Sequence, residues 1–398
     1  MTAMLSNPMH RQVLLLATAQ ALFQSTAVLV VTIGGLAGSQ VSSPALATAP
    51  LGAMFLGNAL VTVPASLWMA RVGRRTGFIA GAALGTLGGL AGAAGVATSS
   101  LLLLCLGTML LGAYQAFALY YRFAASEVAD DAFRPRAISF VLTGGIVAAF
   151  LGPALARWGE PLVTPQYTGS FLLVAAVSLI ATLLLFNLRA PPPPAAASTE
   201  KQRPLLEIIK QPAYLVALFG AATGQGVMVL AMTASPLAIV AHHHTLADAS
   251  QAIQFHVLGM FLPSFFTGAL IARFGILRVM FAGVGLLSLH VVLALSGTAV
   301  PYFISALTFL GIGWNFLFIG GTTLLTQTYT QAERGRAQAV NDLTVVVTGL
   351  LSSASSGVLL ALFGWQKMNV MLLPWLALAA AALVWFARRR SSAAAQSA

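Results

Sequence analysis

Apolar stretches of about 20 residues recur along nearly the whole chain, and this recurrence limits the fold more than any other feature. A run of that length crosses the roughly 30 Å hydrocarbon layer as a helix, and in lipid a helix satisfies its own backbone polar groups. A closed β-barrel would show alternating residues, not unbroken runs. The sequence predicts spans over 12–37, 45–70, 77–98, 100–126, 137–158 and 167–188. A second set falls at 213–240, 247–272, 278–298, 300–328, 337–363 and 368–387. With 58% hydrophobic against 7% charged residues, the chain carries more apolar surface than a water-soluble globule needs. The expected fold class is an all-α membrane protein of twelve transmembrane helices, multi-pass in a lipid bilayer.

The net charge of +11 could point to nucleic acid, but the placement of the basic residues accounts for it without such a partner. One set of loops holds Arg71, Arg74, Arg75, Arg134, Arg136, Arg189, Arg273, Arg278, Arg334 and Arg336. The linker and tail on the same side add Lys201, Arg203, Lys210 and Arg388 to Arg390, and only Arg157 and Lys367 fall opposite. The positive-inside rule then places these loops and both termini in the cytoplasm. Met1 to Gln12 reads as the lead-in to a start-transfer helix, since no small-residue cleavage site precedes the long first span. Cys105 is the single cysteine, which excludes an internal disulfide.

The stretch 189–211 contains Pro191 to Pro194 and the charged run Glu200 to Arg203, and it reads as a linker between six-helix bundles at 1–188 and 212–390. Residues 391–398 read as a disordered tail. Ala70-Arg71-Val72-Gly73 returns as Ala272-Arg273-Phe274-Gly275, and Arg134-Pro135-Arg136-Ala137 as Arg334-Gly335-Arg336-Ala337. Such matches at nearly one offset argue for duplication and two pseudo-symmetric halves. Along its full length the chain resembles the major facilitator superfamily. Ser66 to Arg75 is similar to that superfamily's Gly-x-Leu-x-Asp-Arg-x-Gly-Arg-Arg loop, with Ser66 for the glycine and Ala70 for the aspartate. In the family the aspartate helps latch the cytoplasmic face. The resemblance therefore implies a gating set of Arg71, Gly73, Arg74, Arg122 and Asp342, with Asp342 supplying the missing charge to Arg71 or Arg122. The plainer alternative is a basic turn that only sets topology.

No catalytic constellation or nucleotide-binding motif is present, so an enzyme is not expected, and transport would be driven by a gradient. The hairpin of spans 7 and 8 carries Met228-x-x-x-Met232, an outer His242-His243-His244 cluster and His256-x-x-x-Met260. Residues four apart share a helix face, and both pairs lie about 15 to 18 Å from the outer turn. Thioether and imidazole donors suit copper, above all Cu(I). Chance gives roughly 0.3 Met-x-x-x-Met and 0.2 His-x-x-x-Met pairs in such a composition, so each pair alone is weak. Packing methionines beside a hydrogen-bonded histidine are the bland alternative. Met54, at the repeat position of His256, and His242 to His244 are auxiliary donor candidates; for the triplet a solvated loop is an equal reading. Pro236 withholds an N–H from the Met232 carbonyl and should loosen the helix there.

These two pairs are similar to the paired motifs of the CcoA-like copper importers, a subfamily of the major facilitators. That resemblance implies a monomeric importer in the bacterial inner membrane that moves copper as substrate, without a cofactor, for cytochrome oxidase assembly. Members of that subfamily tend to have several cysteines, and Cys105 stands alone. Protons are the candidate coupling ion through His256. The alternative is an organic-solute transporter, a riboflavin-like importer or a drug exporter. It would bind through Gln20, Gln24, Tyr114, Gln115, Gln225, Trp314 and Asn315 on spans 1, 4, 7 and 10. A third reading is a membrane copper-binding assembly factor that transports nothing.

Overall fold

The computed structural model describes residues 8–130, 133–189, 203–330 and 333–397, and it is wholly helical. The expected Pro191 to Pro194 run, Glu200 and Lys201 of the linker lie outside the described residues, as do residues 1–7. In chain order the helices are α1 (Pro8–Val41), α2 (Ala49–Val72), α3 (Arg74–Ala97), α4 (Leu101–Ala118), α5 (Tyr121–Val128), α6 (Arg134–Leu142), α7 (Gly144–Gly159) and α8 (Thr168–Leu185). They continue as α9 (Leu205–Ile209), α10 (Pro212–Ala241), α11 (Leu246–Phe261), α12 (Ser264–Phe274), α13 (Ile276–Ser296), α14 (Val300–Leu325), α15 (Arg334–Val370) and α16 (Leu373–Ser397). The last helix runs on through 391–397, where the sequence alone reads a disordered tail.

Among the described residues ten helical segments are long and apolar enough to cross a membrane, and the bent pair α11–α12 makes an eleventh. The segment Arg334–Arg390 is 57 residues long. At 1.5 Å per residue that is about 85 Å, far beyond one crossing. It is broken at Gly364, whose φ of 70° no helix allows, so it supplies spans 11 and 12. Twelve spans result, with α4–α5, α6–α7 and α11–α12 each forming one. Span 8 is not the straight helix expected over 247–272: it bends by 43° between Phe261 and Ser264. Pro263 at the break has no N–H for the Gly259 carbonyl.

The duplication is visible in the backbone. Gly73 and Gly275 close the equivalent turns with φ of 87° and 86°. A Cβ at Gly112 would strike the Met54 carbonyl, and one at Gly57 the Met109 carbonyl, so spans 2 and 4 touch backbone to backbone. In the second half Gly311 meets the His256 carbonyl and Gly259 the Thr308 carbonyl in the same way. These contacts fix residue equivalence: Met54 with His256, and Gln115 with Trp314.

The halves meet where spans 1 and 7, 2 and 11, and 5 and 8 pack together. At the face opposite the basic loops, Gly357 N–H donates to Thr48 Oγ1 at 3.1 Å. Nearer mid-depth, Phe55 packs against Gly349 and Phe261 against Gly145. The structure is thus closed on the face away from the basic loops.

Candidate functional site

In the second half, span 10 carries a flat aromatic pair. Trp314 and Phe318 lie four residues apart on one helix face, stacked at 4.8 Å and 13°. Trp314 Nε1–H donates to Gln225 Oε1 of span 7 at 3.0 Å. With its oxygen engaged, Gln225 turns its NH2 toward the span 2–span 11 contact, 3.4 Å from where a Cβ on Gly349 would sit. Phe55 of span 2 reaches the same glycine from the other half.

In the first half a small cavity of about 10 Å³, room for roughly one water, lies at the matching level, lined by Phe23, Thr26, Ala27, Met54, Leu111 and Gln115. Its walls are apolar, and the Thr26 hydroxyl is turned to its own helix, donating to the Phe23 carbonyl at 2.7 Å. Gln20 and Gln24 are half-buried on the same span 1. Two residues expected at this path serve elsewhere. Tyr114 is fully buried, edge-on to Phe23 at 5.0 Å. Asn315 is also buried, and its Nδ2 donates to the Met260 carbonyl and Ser264 Oγ, both at 2.7 Å, while its Oδ1 accepts from Thr267 at 2.7 Å. It braces the break in span 8, and its three partners are far away in sequence, so no local pattern revealed it.

The four proposed copper ligands are all removed from solvent to different degrees. Met228 and Met232 lie in the second-half core at 4% and 8% exposure, and Met260 is half-buried against it. His256 is completely buried. Its Nδ1 lies 2.9 Å from the Leu307 carbonyl of span 10, so the ring turns to span 10. Span 8 packs mainly on spans 10 and 5 and much less on span 7, which bears the two methionines. Nε2 has no hydrogen-bond partner among the described residues, an arrangement that costs about 1–3 kcal/mol. The Met232 carbonyl that Pro236 leaves free is taken by Ser235 Oγ at 2.9 Å, so span 7 stays helical there instead of loosening.

The outer triplet is not an open metal collector. His242 Nδ1 binds the Ala238 carbonyl at 2.8 Å and His244 Nε2 the Thr298 carbonyl at 2.7 Å. His243 takes a left-handed conformation at φ 64° to turn the chain. Among the described residues no group of three or more His, Cys, Asp or Glu side chains is arranged to hold a metal ion.

At the basic face, Arg74 pairs with Glu127 at 2.9 Å and stacks over Tyr120 at 5.3 Å. Glu127, at the end of span 4, belongs to the same half as Arg74, so this pair does not bridge the halves. Asp342 accepts from Asn341 at 3.1 Å and interacts electrostatically across the halves with Arg122, beyond ion-pair contact. Arg71 is exposed and has no ion-pair partner among the described residues. A second clamp escaped sequence reasoning. The buried Glu333 carboxylate accepts from Arg203 Nε and Nη2 at 2.7 Å each, and from the Arg203 and Thr330 backbone N–H groups at 3.0 and 2.9 Å. Arg203 in the first place holds that carboxyl far below the usual range.

The sequence profile of the Major Facilitator Superfamily matches residues 13–262 and again 225–398. The chain belongs to that superfamily. The family and the relatives that this chain matches are transporters. The chain is 41% identical to the riboflavin transporter RfnT of Brucella anthropi over 97% of its own length and 98% of that protein. In fold it is similar to a bacterial homolog of the human lysosomal transporter Spinster in an inward-facing, occupied conformation. That likeness has a TM-score of 0.72 at 17% identity and covers 96% and 98% of the two chains. The nucleoside transporter NupG superimposes at 0.71 with 14% identity over 95% and 98%. The relative of high identity is named for riboflavin and not for copper, which corrects the emphasis of the sequence reading.

Proposed function

We propose that this superfamily member is a secondary transporter of a riboflavin-like heteroaromatic solute, carried through the path between its halves by alternating access. The observation that carries the reading is 41% identity along 97% of the chain to a riboflavin transporter. The chemistry between the halves supports it. Trp314 offers a flat face for a ring system and Gln225 an oriented NH2.

Copper import, which the Met and His pairs favour in the sequence, is the weaker reading, and the link to cytochrome oxidase assembly falls with it. The His256 ring is engaged with span 10, and span 8 packs much less on span 7, which bears Met228 and Met232. In this proposal the basic loops face the cytoplasm of the bacterial inner membrane. Arg122 and Asp342 then attract across the cytoplasmic ends of the halves, and Arg74 with Glu127 stiffens the turn beside them.

Uptake of labelled riboflavin into vesicles holding the purified protein tests this. Saturable accumulation, undiminished by a copper chelator, is expected. Accumulation no greater than in protein-free vesicles would sink the reading.

A further inference from the structure

The chain buries two histidines on either side of span 10, and only one of them has a polar atom facing each ring nitrogen. His290 binds the Ala306 carbonyl through Nδ1 and Asn369 Oδ1 through Nε2, both at 2.9 Å. His256, one residue along span 10, binds the Leu307 carbonyl through Nδ1 at 2.9 Å and leaves Nε2 unpartnered among the described residues. A carbonyl can only accept, so Nδ1 of His256 must carry the hydrogen. In the neutral ring Nε2 is then a bare lone pair, an acceptor whose tautomer the backbone has fixed. Packing alone does not require it, because the equivalent residue of the first half is Met54, which lines the cavity there.

The position of this acceptor relative to Trp314 defines what could meet it. Leu307 and Trp314 are seven residues apart, two turns on one face of span 10, or about 10 Å along the axis. A fused tricyclic ring is about that long. Resting on the flavin-like reading above, we infer that His256 Nε2 accepts a hydrogen bond from a ring N–H of the transported solute, the imide N–H in the case of a flavin. His256 is in that case a specificity-determining residue, and Trp314 stacks on the same ring system. Parting of spans 5 and 8, which meet at Gly145 and Phe261, opens the way to it. A site built around a lone acceptor rejects an analogue whose donor is blocked, since the acceptor then stays buried and unpaired.

The test is transport of riboflavin and of N3-methylriboflavin, which lacks the imide hydrogen, by purified protein in vesicles. The unaltered protein should show a KM at least tenfold higher for the methylated compound. His256→Leu should raise the riboflavin KM to a similar degree and erase the difference between the two solutes. His256→Gln, which restores an acceptor, should recover part of it. Equal KM values with the unaltered protein would overturn the inference while leaving flavin transport standing, as would discrimination that persists in His256→Leu. No transport of either flavin would overturn the functional reading and this inference with it. The analogue comparison needs no variant, so misfolding of His256→Leu cannot shield the inference.

Discussion

The two halves share a backbone and differ where they face the path. Spans 2 and 4 cross at Gly57 and Gly112, and spans 8 and 10 cross at Gly259 and Gly311, in both cases against a carbonyl that leaves no room for a Cβ. On this common crossing the first half places Met54 and Gln115 around a small apolar cavity of about 10 Å³. The second half places His256 and Trp314 at the same positions. Duplication has kept the contacts that let the backbones meet, and the side chains beside them have diverged. One half supplies a thioether and an amide, and the other supplies a ring face and a fixed acceptor. A symmetric pair of half-sites would suit a small ion held between like donors; this unequal pair suits an elongated solute with two unlike ends.

The comparison can be broken from either side. Trp314→Leu removes the ring face and strips Gln225 Oε1 of its partner. Riboflavin uptake should fall at least tenfold, corresponding to about 1.4 kcal/mol or more, while the thermal midpoint changes little; unchanged uptake would remove Trp314 from the site. Gln115→Trp installs the second-half residue in the first and fills the cavity. A several-fold rise in KM is expected, measured against Gln115→Asn, which leaves the cavity open.

Glu333→Gln probes packing, not the path. It should lower the thermal midpoint by a few degrees, because it removes the charge from a buried carboxylate with four donors. The sign of its pH dependence follows from the depressed folded-state pKa. The stabilisation is complete above the unfolded value of about 4.3 and is lost as pH falls through the lower folded value. The gap between Glu333→Gln and the unaltered protein should therefore stay constant from pH 8 to about 5 and close only in stronger acid. The smallest effect is expected at Arg71. Its side chain is exposed, so Arg71→Ala should change stability by no more than about 0.5 kcal/mol, and any larger loss would assign it a partner in another conformation.

Much of the fold was legible in the residues. Hydropathy alone marks the spans, because lipid forces each apolar run into a helix. The Ala-Arg-x-Gly repeat marks equivalent turns, because both need a glycine at positive φ. The site was legible only in part. Pairs spaced by four residues show which side chains share a helix face and do not show which neighbouring helix that face meets. Span 8 turns His256 to span 10, and the metal reading of Met228, Met232, His256 and Met260 assumed it would turn to span 7. Asn315 reads as a cavity amide until its three partners around the bend in span 8 are seen. Glu127 stands more than fifty residues from Arg74, so only the folded chain shows that the two pair.

The central claim concerns the solute, and counterflow tests it most directly. Vesicles with the purified protein are loaded with unlabelled riboflavin and diluted into a trace of labelled riboflavin, with labelled copper offered to a parallel set. Transient accumulation of labelled riboflavin above its equilibrium level, with copper entry no faster than in protein-free vesicles, is the predicted result. Copper accumulation that vanishes in Met228→Leu and His256→Leu, with no riboflavin counterflow, would contradict it.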